Sequence, residues 1–294
     1  MIRKHEFISR IARCVGPAHQ GFAAGKLGFS EQYLLNYPRV LATVSDPRAL
    51  RAYELGFRAH LERQSGVYPC SPQFMREFVA RYAHDLRALD AIGVFGTRIE
   101  MELVEFHGLP GALMPYKCME PDRSSPADES ACYLPLFRDR RLLIVAPFAD
   151  LLRDRANERT FEQVWARTGK RWFHPAQVES LEFPYGFDPA TQARFPTALD
   201  LCDWICARID SLQFDAALIA AGGLANPIAA SIKRSGRIGI SLGGHLQVLF
   251  GVLGQRWRAR ESWARRYFND AWIDMPERYR PPNWEQLTDG GAYW

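Results

Sequence analysis

No stretch of the 294-residue chain approaches the roughly 18 apolar residues that a membrane-spanning helix needs. The opening MIRKHEFISRIARCVG is broken by Arg3, Lys4, Glu6, Arg10 and Arg13, so the apolar run of a secretory leader is missing too. These absences predict a cytoplasmic protein without membrane spans, and leave a position peripheral to a membrane open. A strong excess of one charge is also lacking. Thirty-seven Lys and Arg stand against 33 Asp and Glu, a net charge of +4 that is too mild to argue for nucleic acid. It suits an anionic small ligand or an acidic membrane surface equally well, and a solvated surface better than either.

The six cysteines, at 14, 70, 118, 132, 202 and 206, form neither a CxxC pair nor a Cys/His cluster of metal-binding spacing. Free thiols in a reducing compartment follow, with Cys202 and Cys206 as neighbours on one helix. No metal site is expected from them. Gly/Ser linkers, charge blocks and internal repeats are absent as well, so the expectation is a single domain over 1–294.

What is present changes character along the chain. Residues 1–90 read mainly as helices: Asp46-Pro47 and Ser71-Pro72 each supply a cap and a first-turn proline before apolar residues at helical spacing. From Ala91 to Arg256 short apolar runs at 91–96, 111–115, 141–146, 178–183, 215–221 and 237–242 alternate with helical patterns. Such runs predict an α/β, Rossmann-like and mostly parallel sheet with helices on both faces. The helix at 97–108 is expected to turn Ile99, Leu103 and Phe106 inward, and 148–165 reads as one Arg-rich amphipathic helix. Residues 117–130 form a long polar loop of the kind that often carries function. Five of the eight tryptophans lie in 257–294, which predicts a tail that wraps back onto the body.

The stretch from Asp215 to Gly251 carries the most chemistry. It reads strand, Gly222-Gly223, helix, Gly236, strand, Gly243-Gly244, helix. Each glycine pair falls where a strand's carboxyl end meets a helix's amino end, a place that favours anions. Gly222, Gly223, Gly243 and Gly244, with Asn226 and Gln247 at the helix heads, are candidates to hold a phosphate or nucleotide; tight turns alone would also explain the glycines. Neither GxGxxG nor GxxxxGK[ST] occurs, which counts against NAD, S-adenosylmethionine and P-loop chemistry. His245, as ligand contact or acid/base, and Glu120, as general base, are the alternative catalytic candidates. Arg10, Arg13, His19 and Lys26, around Gly16-Pro17 and Gly25, are candidates to pair with a diphosphate, and Arg256, Arg258 and Arg260 with Trp257 offer a cationic, stacking surface. Glu100 and Glu102 are read as compensating a helix dipole.

LGGHLQVLFG, GQRW, YFNDAWIDMPERYRPPNW and the terminal GGAYW, with KLGFSEQ, MEP and LLIVAPFA more loosely, make the chain resemble a bacterial family associated with surface-polysaccharide biosynthesis. That family is similar, more distantly, to glycosyltransferases of the GT-D fold. The resemblance implies sugar transfer from a nucleotide-sugar donor to a glycan acceptor, with Mn²⁺ or Mg²⁺ as the metal of the related enzymes and an oligomer as an open option. One departure stands out: SRIARCVGPAHQG at 9–21, where the related acidic DxE-type motif is expected, holds no Asp or Glu. Either Arg and Lys replace the metal, or the protein is a non-catalytic nucleotide- or glycan-binding partner of the same machinery.

Overall fold

The computed structural model describes residues 1–15, 20–109, 112–121 and 132–294. Seven strands make one sheet: β1 (Phe22–Lys26), β2 (Ala91–Val94), β3 (Leu113–Pro115), β4 (Arg141–Val145), β5 (Gln177–Leu181), β6 (Ala216–Ile219) and β7 (Ile238–Ser241). Their order is β3-β2-β1-β7-β6-β4-β5 and every pairing is parallel. A second, two-stranded parallel ladder joins β8 (Val252–Leu253) to β9 (Ile273–Asp274).

Six of the seven central strands coincide with the apolar runs, but β1 was hidden in a region that reads as helical. FAAGK has one large apolar residue and nothing β-branched, so it lacks a strand's usual marks. Packing explains the composition. A Cβ on Gly21 would lie 2.1 Å from the Lys233 carbonyl oxygen, and one on Gly25 would lie 1.9 Å from Asn226 Oδ1. Small residues let the helix carrying Asn226 and Lys233 lie directly on β1.

The helices are α1 (Lys4–Val15), α2 (Phe29–Thr43), α3 (Pro47–His60), α4 (Pro72–Arg87), α5 (Arg98–Phe106), α6 (Ala149–Arg155), α7 (Glu158–Val164), α8 (Pro189–Arg194), α9 (Ala198–Asp210), α10 (Ala225–Arg234), α11 (His245–Leu249), α12 (Gln255–Arg258), α13 (Glu261–Arg266) and α14 (Thr288–Gly291). The starts of α3 and α4 follow their caps: Asp46 accepts the Arg48 N–H and Ser71 accepts the Phe74 N–H, each with proline in the first turn. The 148–165 segment is two helices, because Asn157 caps a new start at α7.

Two apolar clusters cover the sheet. Residues of α2, α3, α4, α5, α9 and α10 pack with Ala23, Leu143, Val145, Ala217 and Ile219 on one face. Residues of α1, α6, α7 and α11 pack with Phe22, Ala24, Leu142, Ile144, Leu218 and Ile240 on the other. Alternation along each strand sends successive side chains to opposite clusters, and each fully buried Leu, Ile or Phe contributes about 1.5–3 kcal/mol. The aromatic tail does wrap back: Trp257, Trp263, Trp272 and Trp294 are all buried in the second cluster.

The predicted inward face of α5 needs correction. Leu103 is buried, but Ile99 and Phe106 are 52% and 53% exposed. Glu100 takes the inward position instead. It closes a capping box with Thr97, accepts the Phe95 N–H at 3.1 Å and accepts the Gln32 amide at 3.0 Å, which fixes the helix's rotation. No described helix is long and apolar enough to cross a membrane.

Candidate functional site

β1 and β7 are neighbours, yet α2 leaves the end of β1 for one face of the sheet while α11 leaves β7 for the other. Chain segments that part in this way open a crevice at the strands' carboxyl ends. A cavity of about 760 Å³ lies there. It is lined by strand ends and the turns after them, among them Lys26 at the end of β1 and Gly28 after it, Val94 and Phe95 at β2, Tyr116 after β3, Pro147 after β4, Ala221 and Gly222 after β6, and Ser241 at the end of β7 with Gly243, Gly244 and His245 after it.

Beside it is a buried charged cluster. Glu120 is fully buried, and its Oε1 receives Lys26 Nζ at 3.0 Å and meets His245 Nε2 at 3.1 Å. Lys26 Nζ also donates to the Leu242 carbonyl at 3.1 Å and sits 4.3 Å from the centre of the Tyr116 ring. The His245 ring packs against Trp257 and Trp263, with centroids 5.9 and 6.1 Å apart. Lys26 and His245 line the cavity, whereas Glu120 stands behind them. From behind the wall the Glu120 carboxylate holds Lys26 and His245 in orientation. Of the loop expected at 117–130, the described part turns through Tyr116–Met119 to Pro121; 122–130 lies outside the described residues.

The glycine pairs line the crevice, but mostly for reasons of space. A Cβ on Gly222 would come 2.5 Å from the Ser65 carbonyl oxygen, one on Gly223 2.6 Å from Val67, and one on Gly244 2.3 Å from the Tyr293 ring and 2.7 Å from Trp257. Gly223 itself is not on the cavity wall. Only Gly243, at φ +55, has open space where a side chain would be. Its N–H is occupied, since Leu242 and Gly243 both donate to the Ile219 carbonyl at 2.9 and 3.2 Å. The expected phosphate cradle of four glycines is therefore reduced to the stretch of wall formed by Gly222, Gly243 and Gly244.

Asn226 and Gln247 are both buried and both line the cavity. The Asn226 amide donates to the Lys26 carbonyl at 2.9 Å and the Tyr82 hydroxyl at 2.8 Å, tying α10 to β1 and α4. Gln247 donates to the Tyr293 carbonyl at 3.1 Å and so holds the tail. Arg10 and Arg13 do not belong to the site. Arg10 bonds Glu6 at 2.9 Å and the Asp90 carbonyl at 3.4 Å, at the amino edge of the sheet, and Arg13 bonds the Ser9 carbonyl one turn back. Gly16, Pro17 and His19 lie outside the described residues.

Of the tail's arginines, Arg256 and Arg260 line the cavity, while Arg258 turns away to pair with Asp274. Arg256 donates to the Tyr293 hydroxyl at 3.1 Å with its guanidinium 4.8 Å from that ring. Tyr293 and Trp294 form part of the wall, anchored by Arg256 N–H to the Ala292 carbonyl and by the Trp294 indole to the Tyr185 hydroxyl at 3.0 Å.

The sequence reading missed Glu31. It stands in the first turn of α2, is 9% exposed and lines the cavity. Gly28 makes room for it, because a Cβ there would lie 2.2 Å from Glu31 Oε2. Burial pushes its carboxyl above the usual range, with only its own backbone N–H pulling the other way. Burial likewise pushes the Tyr116 hydroxyl up, reinforced by Tyr293, Glu120 and Glu31. The signal for Glu31 was a strand–Gly–helix step, FAAGKLGFSE, of the kind recognised at Gly222 and Gly243. Reading β1 as helix concealed it.

Comparisons of the chain with protein-family models, with curated proteins and with solved structures find no match.

Proposed function

We propose that the protein is a glycosyltransferase that moves a sugar from a nucleotide-sugar to a glycan acceptor, in the service of a bacterial surface polysaccharide. The observation that carries this reading is one cavity whose wall combines the cations Lys117, Arg256 and Arg260 with a histidine that a buried carboxylate holds in place. Its volume of about 760 Å³ lies in the range of small-molecule sites.

In this reading Arg256 and Arg260 bind the donor's diphosphate. His245 accepts the proton of the acceptor hydroxyl while that oxygen bonds to the anomeric carbon. The bond from the anomeric carbon to the phosphate oxygen breaks, its electron pair leaves with the nucleoside diphosphate, and the guanidinium groups stabilise the growing charge. Glu120 orients His245 and balances the imidazolium. Glu31, which keeps its proton to higher pH than an ordinary carboxyl, offers a hydrogen bond to a sugar hydroxyl. The Mn²⁺ or Mg²⁺ implied by the resemblance does not fit the donor set. Among the described residues no three His, Cys, Asp or Glu converge as a metal cage, and Glu120 is committed to Lys26 and His245. The cationic side chains take that part.

A thermal-shift screen against UDP-, GDP-, CMP- and dTDP-sugars tests the reading. A donor present at about 100 times its Kd stabilises the fold by about 2.7 kcal/mol. His245→Gln is expected to keep that shift and lose turnover. Binding without turnover in the unaltered protein would favour a non-catalytic nucleotide- or glycan-binding partner, a reading helped by the complete burial of Glu120. No shift with any of these donors would overturn the transferase and nucleotide-binding readings and leave the glycan-binding partner.

A further inference from the structure

The mouth of the cavity is apolar and exposed in a way the cavity's interior is not. Phe29, Tyr33, Phe95 and Ile99 are 60%, 43%, 46% and 52% exposed. They come from three places that the fold brings to the carboxyl edge: the first two turns of α2, the residue after β2, and the first turn of α5. Phe29 and Phe95 also line the cavity.

These side chains are held in place before anything binds them. Phe29 stacks on Phe95 with centroids 4.7 Å apart and planes 13° apart, and Phe95 stacks on Tyr116 at 4.6 Å and 15°. Tyr33 stacks on His60 at 5.4 Å. The faces are used ring against ring, with no gap wide enough for another planar group, so the stack is a wall with apolar edges turned to water. An exposed apolar stack at a cavity mouth, here Phe29 on Phe95 with exposed Tyr33 and Ile99 one turn along from them in sequence, marks a surface that something covers.

Charge says what covers it. Arg98, next to Ile99, has a side chain 93% exposed, and Arg98 and Arg39 share the single carboxylate of Glu102 at 2.9 and 3.1 Å. The two guanidinium groups outnumber the one carboxylate they share, with exposed Glu105 one turn further along α5, and Lys117 is a further exposed cation at the other end of the stack. Apolar wedges flanked by exposed cations match the acyl–headgroup boundary of a bilayer with acidic lipids. We propose that this rim docks the protein on an anionic lipid membrane, with the cavity opening toward the headgroups. The inference holds whatever reaction the cavity performs.

Cosedimentation with phosphatidylglycerol/phosphatidylcholine vesicles, and with phosphatidylcholine alone, tests it at about 0.1 M salt, where surface charges are only partly screened. The protein is expected on the anionic vesicles and to be released by added salt. Phe29→Ser/Ile99→Ser should weaken that partition about tenfold, the loss expected for two partly inserted side chains. Arg98→Glu should weaken it as well, and because this side chain lies outside the core, it reads the proposal even if the double variant fails to fold. Failure to bind anionic vesicles, equal binding to neutral ones, or Arg98→Glu binding like the unaltered protein would overturn the proposal. So would association between copies through the rim without vesicle binding.

Discussion

Two lysine–carboxylate pairs sit at opposite edges of the same sheet. At the amino edge Lys233 meets Asp90 at 2.7 Å with side chains 29% and 31% exposed, and Asp90 also accepts the Ala23 N–H. At the carboxyl edge Lys26 meets Glu120 at 3.0 Å with side chains 5% and 0% exposed. The first pair closes an edge, since water can replace either partner. The second is desolvated, shared with His245 and placed beside a cavity. The difference shows that burial and neighbours, rather than residue type, separate a staple from a site. Arg10 bears this out: it is as cationic as Lys26, but spent on the amino edge.

Removing one partner from each pair should give the largest contrast. Glu120→Ala strands a buried lysine and is expected to cost about 3–5 kcal/mol, whereas Asp90→Ala should cost about 1 kcal/mol. Urea denaturation of both variants measures it, and similar losses would erase the distinction. The next effect lies within one turn. Gly244→Ala drives a methyl into Tyr293 and Trp257 and should cost about 1–3 kcal/mol while exposing 257–294 to trypsin. Gly243→Ala meets only its positive φ, about 1 kcal/mol, and should leave the tail protected. Equal proteolysis in the two variants would show that the tail does not rest on Gly244.

The smallest effect is a slope. Burial raises the Glu31 carboxyl in the folded chain above its ordinary 4.5. As pH rises through that interval the unfolded chain has released a proton that the folded chain retains, so stability falls with rising pH. Glu31→Gln should remove this loss, making the variant relatively more stable at mildly alkaline than at mildly acid pH. Parallel urea curves at the two pH values test this, and an unchanged difference between the proteins would contradict it.

Sequence patterning revealed six of the seven central strands from short apolar runs, and the starts of α3 and α4 from a cap before proline, while the same device at Asp188-Pro189 went unread. It failed at β1, where tight packing by α10 demanded small residues, and at the turns of Ile99 and Phe106, where the buried Glu100 network outweighed hydrophobicity. The site was legible as parts: Lys26, Glu120 and His245 were each visible, but their convergence on one carboxylate depends on three strands that are distant in the chain. Glu31 was lost with its strand. The glycine pairs were visible too, yet what they accommodate, Ser65, Val67 and Tyr293, lies far from them in sequence.

The position of β1 also bears on how the molecule comes into being. The first strand lies inside the sheet, and one of its two neighbours is the central β7, with Phe22 set against Ile238. During synthesis β1 can pair early with β2, but its other edge stays open until nearly the whole sheet has been made. Such distant pairing slows folding and leaves an unpaired edge exposed in the meantime. The crevice forms along that last seam, so the site is among the final features to exist.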